Sequence, residues 1–447
     1  MRQLFGTDGI RGVAGQAPLD EATVYSTGVA LARSLQETHD PVRVLIGMDT
    51  RESGPWIARA IAAGLRDAGA LVDFAGVITT PGIAYLTQRH QFSAGVVISA
   101  SHNPWQDNGI KIFGSDGYKL PDEIELAIEK EIFSHRDANE GGQEAIPLRE
   151  ASQYRHEYVQ FLQSAVPGLN LRGVSLVLDC ANGAASAVAS ELFAGYGGTV
   201  KLTHAAPNGR NINEDCGALH PEVVAAEVAA QKADIGVTLD GDADRALFAD
   251  SNGRVVNGDA VMLVAARDMK AAGTLAGDTL VATTMSNMGL EAALKRSGVR
   301  MLRAPVGDKY VLEEMRRSKA QLGGEQSGHI LFAGRSTTGD GLLTALLLLD
   351  IVSRSGKSLA ELTSDLKVYP QVIVNVHVRE KKPLSDIPSV TATISSAERE
   401  LAETGRVVVR YSGTEKLARV MIEAESEEAM KRHADAIASA IRDELGV

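Results

Sequence analysis

The sequence predicts an α/β chain of several domains, closing in a smaller α+β domain. Apolar strands alternate with amphipathic helices over most of the 447 residues, the pattern of mostly parallel sheets with helices on both faces. One such unit recurs three times in diverged form. From Ser364 to Pro370 onward the pattern changes to strands and helices in another order. A chain of this length exceeds what one hydrophobic core serves.

Each copy opens with an apolar strand, a polar turn and an amphipathic helix: Val42 to Gly69, Val174 to Gly198 and Thr279 to Gly298. A second strand follows at Leu71 to Ala75, Thr199 to Thr203 and Val299 to Ala304. Each copy then runs an apolar strand into a polar loop and returns as a further strand. The loops are Ser99 to Gly109 after Ala94-Gly-Val-Val-Ile, Asp240 to Arg245 after Ile235-Gly-Val-Thr-Leu, and Glu325 to His329 after Ala320-Gln-Leu-Gly-Gly. Functional loops of such sheets lie at the carboxyl ends of strands, so three units would each give one loop to a shared site.

Between the first two copies, Ser134 to Gln143 reads as an exposed turn and Ala151 to Gln163 as a helix. Leu342 to Val352 is apolar apart from Thr344 and Asp350 and too short to span a bilayer, so it reads as a buried helix. The tail reads as a strand over Val372 to Val378, a helix over Val390 to Glu403, strands over Val407 to Tyr411 and Leu417 to Ala424 about a Ser412 to Glu415 turn, and a closing helix over Glu427 to Leu445. The expected domains are 1–150, 151–252, 253–366 and 367–447.

With 45 basic against 57 acidic residues, the net charge of -12 argues against nucleic acid or an anionic membrane as the main partner. Two cysteines, Cys180 and Cys216, are too few for a disulfide framework or a thiolate zinc site, and a reducing, cytoplasmic compartment is expected. The N-terminus lacks the apolar core of a signal peptide.

Ser101-His102-Asn103 ends a buried strand with polarity that folding does not require, and so presents a nucleophile. A serine hydroxyl needs a base, a metal or a good phosphoryl donor, and no Gly-x-Ser-x-Gly elbow surrounds it. The alternative is a hydrogen-bonded strand end. Lys111 on the returning strand would reach this loop, to hold a phosphate or act as acid or base.

In Asp240-Gly-Asp242-Ala-Asp244-Arg245, alternate side chains of an extended chain face one way, so three carboxylates would converge and need a hard cation. Oxygen ligands at this density fit magnesium; the alternative is a solvated acidic turn. An EF-hand fails, because Arg245 replaces the turn glycine and Ser251 stands where its glutamate belongs.

Arg410 with Ser412, Gly413 and Thr414 reads as a phosphate clamp at a hairpin tip or as an ordinary hairpin. Glu325 and Ser327 on a glycine-flanked loop suit sugar hydroxyls, whereas His329 reads as a structural histidine. Arg11, in Phe5-Gly-Thr-Asp8-Gly-Ile-Arg11, would suit orienting a phosphoserine.

Taken in order, these motifs resemble the α-D-phosphohexomutase superfamily over essentially the whole chain. The resemblance implies three similar mixed-sheet α/β domains around a cleft plus a C-terminal α+β domain. It implies Ser101 as the phosphorylated serine, and Ser101, Asp240, Asp242 and Asp244 as the ligands of one Mg2+. Arg11, Lys111, Arg245 and His102 would serve the transferring phosphoryl group. Glu325, Ser327 and His329 would contact the sugar, and Arg410, Ser412, Gly413 and Thr414 the non-reacting phosphate.

Asn211-Ile-Asn213, Cys216-Gly217, His220-Pro221-Glu, Ser99-Ala-Ser101 and Val306-Gly-Asp308-Lys-Tyr-Val resemble the phosphoglucosamine mutases within that superfamily. The implied reaction interconverts glucosamine 6-phosphate and glucosamine 1-phosphate through a 1,6-bisphosphate, feeding UDP-GlcNAc and cell-wall precursor synthesis. A phosphomannomutase/phosphoglucomutase is the alternative. Departures are Ala243 where glycine is common, Ala218-Leu219 for Ser-Thr, Gln326 for Asn and Lys416 for proline. The expected partner is a small sugar phosphate, with a homodimer carried as the expected assembly.

Overall fold

In each of the three copies the strands lie in one order: second, first, third, fourth. In the first copy these are Leu71–Val77, Arg43–Met48, Ala94–Ile98 and Asp107–Gly114. The second copy has Thr199–Thr203, Ser175–Asp179, Ile235–Leu239 and Ala246–Ala249. The third has Arg300–Ala304, Thr279–Thr283, Leu322–Gly324 and Ile330–Phe332. The repeat read from pattern is therefore a repeat of topology. This computed structural model describes residues 4–6, 8–136, 147–412 and 416–447.

The sheets are mixed, which corrects the expectation of mostly parallel pairing. First and third strands pair in parallel in every copy, but each fourth strand returns antiparallel on the third. Short loops force this, because a parallel return needs a crossover of a dozen or more residues. An N-terminal hairpin, Phe5–Gly6 and Gly9–Val13, adds antiparallel strands to the first sheet, and Val255–Val256 adds one to the second.

The third strands Ala94–Ile98 and Ile235–Leu239 are buried at every residue, as strands flanked on both edges and covered on both faces must be. Whatever follows them emerges from the core already fixed. The helices Glu21–Gln36 and Gly54–Asp67 cross so closely that a Cβ at Gly28 would lie 2.2 Å from the Ile61 carbonyl oxygen. In the second copy the expected long helix is instead a 3-10 turn at Ala184–Ala187 and a short helix at Ala189–Phe193. The expected helices after the first and third copies fall at Gln153–Ser164 and Gly341–Ser355. The expected turn at 134–143 begins inside the helix Asp122–Arg136 and otherwise lies outside the described residues.

The described residues form two compact units: up to Met285 with Met301–Thr363, and Ser286–Arg300 with Ser364–Val447. In the second, Leu417–Ala424 lies between Gln371–His377 and Gly405–Tyr411, all antiparallel. The helices Pro388–Leu401 and Glu427–Leu445 bury Val390, Leu401, Ile437 and Ile441 with Val420 and Ile422 of that sheet. The first of these ends two residues before the expected Glu403. No described helix is long and apolar enough to cross a membrane.

Candidate active site

The first strand of each copy ends in a side chain that turns the backbone. Asp49 Oδ1 accepts from Arg51 N at 2.9 Å, Asp179 Oδ1 from Ala181 N at 2.8 Å, and Thr283 Oγ1 from Met285 N at 3.3 Å. In two copies the second carboxylate oxygen reaches the third strand or its end: Asp49 Oδ2 accepts from Ser99 Oγ at 2.6 Å, Asp179 Oδ2 from Thr238 Oγ1 at 3.2 Å. These are small polar turns of the kind aspartate and threonine favour.

Ser99 passes the constraint on, its Oγ accepting from Ser101 N at 2.9 Å. Buried Arg51 pairs with Asp49 at 3.0 Å and donates to the carbonyls of Ser101, Asn103 and Pro104. Asn213 Nδ2 also donates to the Ser101 carbonyl, at 2.9 Å. Ser101 is thereby held at φ +52°, a left-handed conformation stored at an over-determined site. Its Oγ donates to Asp240 Oδ2 at 2.5 Å and lies 3.2 Å from His102 Nδ1. Burial, then Arg245 and Arg11, lowers His102 to about 4, so its imidazole is neutral near pH 7.

The carboxylates of Asp240, Asp242 and Asp244 each offer an oxygen within 4.8 Å of the others. Extended chain is not the reason: Ala243 turns the loop at φ +58°. Lys111 Nζ lies 2.8 Å from Asp242 Oδ2, 3.5 Å from Asp244 Oδ2 and 3.1 Å from Asp8 Oδ2. Burial opposes its charge, but these three carboxylates outweigh that and raise Lys111 well above its ordinary range. Burial, then Asp244 and Asp242, raises Asp240 well above the carboxylate range, whereas Lys111 and His329 overcome the burial of Asp244 and lower it. Asp242 Oδ1 and Asp244 Oδ1 are buried and accept no hydrogen bond. Three hard oxygens beside a serine hydroxyl, two of them without donors, fit a magnesium ion.

A cavity of about 410 Å³ opens above this group, within the range of small-molecule sites. Ser101, His102, Arg11, Asp244, Arg245, Glu325 and His329 line it. Asp240, Asp242 and Lys111 are buried alongside. Ser327 donates to Glu325 Oε2 at 3.4 Å. His329 is buried, accepts from Gly339 N at 3.2 Å and faces Asp244 Oδ1 at 3.7 Å, in keeping with a positioned histidine.

Three charged lining residues had no site role in the sequence reading: Asp8, Lys119 and Asp308. Lys119 Nζ bridges Asp8 and, at 2.6 Å, Asp308 Oδ2, while Asp8 also pairs with Arg11. Arg51 and Asp49 were missed as well, although Asp49 follows a buried apolar strand as Ser99 does.

The second unit is a separate matter. Arg410 is exposed on the strand Gly405–Tyr411, and Ser412 N donates to the Leu417 carbonyl at 2.8 Å. Gly413 and Thr414 lie outside the described residues.

Asp179, His204 and Cys216 also cluster at metal-ligand spacing. This group does not fit a metal, because Ala181 N, Gly217 N and Thr238 Oγ1 already donate to both oxygens of Asp179. Burial, then Asp179, Asp215 and Glu214, pushes the Cys216 thiol up to about 12, against thiolate formation.

Comparison with known proteins agrees with this architecture. Four phosphoglucomutase/phosphomannomutase domain families match in order: the alpha/beta/alpha domains I, II and III at residues 2–139, 156–253 and 257–369, and the C-terminal domain at 373–440. The phosphoglucosamine mutase of Koribacter versatilis is 60% identical, over 100% of this chain and 98% of that protein. That of Solibacter usitatus is 54% identical, over 100% and 99%. A Burkholderia thailandensis phosphoglucomutase/phosphomannomutase family protein shares the fold with a TM-score of 0.81 at 24% identity, covering 100% of both chains. Aspergillus fumigatus N-acetylphosphoglucosamine mutase, solved with GlcNAc-6P and magnesium, does so at 0.64 and 21%, over 99% of this chain and 96% of that one. The chain belongs to the phosphoglucomutase/phosphomannomutase family of α-D-phosphohexomutases, and within it groups with the phosphoglucosamine mutases.

Proposed function

We propose that the protein is an isomerase interconverting glucosamine 6-phosphate and glucosamine 1-phosphate through a phosphoserine and a 1,6-bisphosphate, feeding UDP-GlcNAc and cell-wall precursor synthesis. One observation carries it: Ser101 Oγ, strained and fixed, touches Asp240 of the three-aspartate loop at 2.5 Å on the wall of a sugar-sized cavity. The named relatives at 54–60% identity support the amino sugar.

In this reading the bond between phosphorus and Ser101 Oγ breaks as a bond to the sugar hydroxyl oxygen forms, and the hydroxyl proton leaves to a base. The bisphosphate turns over, and its other phosphoryl group returns to Ser101. Such transfers ask mainly for positioning and charge neutralisation. Asp240, Asp242 and Asp244 would hold magnesium, which when bound neutralises phosphoryl oxygens. Lys111, kept protonated, and Arg245 and Arg11 at the cavity add fixed positive charge around Ser101. His102 contacts the serine oxygen, Glu325, Ser327 and His329 form the sugar-facing wall, and Arg410, Ser412, Gly413 and Thr414 hold the other phosphate. Domain divisions at 150, 252 and 366, and cytoplasmic, homodimeric operation on a sugar phosphate without nucleic acid or membrane, belong to the same reading.

The test is a coupled assay of glucosamine, glucose and mannose phosphates, with intact mass of wild type and Ser101→Ala. Turnover fastest on glucosamine phosphate, and one phosphoryl group missing from the variant, support the reading. A modified mass unchanged in Ser101→Ala overturns the phosphoserine.

A further inference from the structure

The cavity walls gather four carboxylates, Asp8, Asp244, Asp308 and Glu325, with Arg11, Lys119, Arg245 and His329, the last facing Asp244 at 3.7 Å and Asp308 at 3.8 Å. Asp8 is held by Arg11, Lys111 and Lys119, and Asp244 by Lys111. Glu325 has no ion pair among the described residues; it accepts from Gly307 N at 3.1 Å and from Ser327. The residue after Gly307 is Asp308, so one turn of backbone carries one carboxylate and anchors the other on the same wall. Asp308 Oδ1 accepts from Lys309 N at 2.8 Å and Oδ2 from Lys119 at 2.6 Å. A carboxylate offers about four acceptor positions, so two remain. Lys119 and His329 outweigh the effect of burial and lower Asp308, which keeps it ionised.

We propose that Asp308, beside Glu325, is the group that reads the 2-ammonium of the sugar and so sets preference for an amino sugar over a neutral hexose. The inference rests on the reading of the protein as a sugar-phosphate mutase. An ammonium would add a charge-assisted hydrogen bond at the free acceptor positions of Asp308, whereas a 2-hydroxyl offers that carboxylate only a neutral donor, and a site built for the charged group discriminates against the analogue lacking it. Lys119, in turn, holds Asp308 in place.

The experiment compares kcat/KM for glucosamine 6-phosphate and glucose 6-phosphate in wild type, Asp308→Asn and Asp308→Glu, with thermal unfolding of each. Asp308→Asn is expected to lower the glucosamine-to-glucose ratio on the order of ten- to a hundredfold, the worth of one hydrogen bond to a charged group. Asp308→Glu, which keeps the charge, should hold most of the ratio. Equal losses on both sugars in Asp308→Asn would overturn the inference and reduce Asp308 to an anchor for Lys119. A wild type that turns over neither sugar overturns the functional reading itself, and this inference with it.

Discussion

Arg51 Nη2 donates to the main-chain carbonyl of Ser101 at 2.9 Å, and the guanidinium that does so is completely buried. It is the one side chain that ties the first strand's Asp49 to both ends of the Ser101 turn. Removing it leaves the buried Asp49 carboxylate without its charge partner, while the carbonyls of Ser101 and Asn103 keep Asn213 Nδ2 and that of Pro104 keeps Asp107 N. Arg51→Met is therefore expected to destabilise the first unit by about 3–5 kcal/mol, the penalty for breaking a buried pair on one side. Urea unfolding followed by fluorescence measures this, and Arg51→Lys should recover only part, because an ammonium cannot reach the planar set of acceptors.

Chelation should abolish turnover, and added magnesium should restore it and raise the melting temperature. Asp240 is pushed toward its protonated form by burial and by Asp244 and Asp242, so cation binding is expected to release a proton. Titration calorimetry in buffers of different ionisation enthalpy reads that release directly. Full activity in chelator would remove the metal from the reaction.

Asp340 caps the helix Gly341–Ser355 through Leu343 N at 2.9 Å and accepts from Tyr158 OH at 2.8 Å, yet burial raises it to about 6. Its folded pKa thus stands above its unfolded value of 3.8. The native state holds this proton more tightly, so stability falls as pH rises from about 4 to about 6 and is then level, a difference of roughly 3 kcal/mol by linkage. Asn caps as well as Asp. Asp340→Asn should match wild type near pH 4 and exceed it at pH 7, read from denaturation curves at the two pH values.

Ala243 sits at φ +58° with its methyl buried. Left-handed backbone costs a non-glycine residue about 1–2 kcal/mol. Glycine would relieve that but lose roughly 0.5–1 kcal/mol in chain entropy and about 0.8 kcal/mol of buried methyl. The terms nearly cancel. Ala243→Gly is expected to leave melting temperature and kcat close to wild type, and a large shift in either would show that the methyl has a packing role beyond its area.

Ser101 and the three aspartates were legible because each lies in a polar loop that follows a fully buried, mainly apolar strand, where such polarity has no folding purpose. Asp49 ends such a strand too, but a lone aspartate before a turn has an ordinary explanation, and only the Arg51 contacts give it another. Asp308 was legible only as part of the Val306 to Val311 motif, and its pairing with Lys119 could not be read at all, since the two are 189 residues apart and neither interrupts an apolar run. The short helix of the second copy escaped for a different reason. Gly183 approaches Gly241 so closely that a Cβ there would lie 2.3 Å from the Gly241 carbonyl oxygen, and this tertiary approach overrides local helix preference.

The side chains closing the first strands are not equal. The copies bearing the serine and the aspartates each commit a buried carboxylate to lock strand against loop, while the third has Thr283, with a single long bond at 3.3 Å. The lock is therefore weakest in the third copy, beneath the loop of Glu325 and His329. On the proposed reading, substitutions in that loop should change sugar preference at less cost to the fold than substitutions beside Ser101 or Asp240.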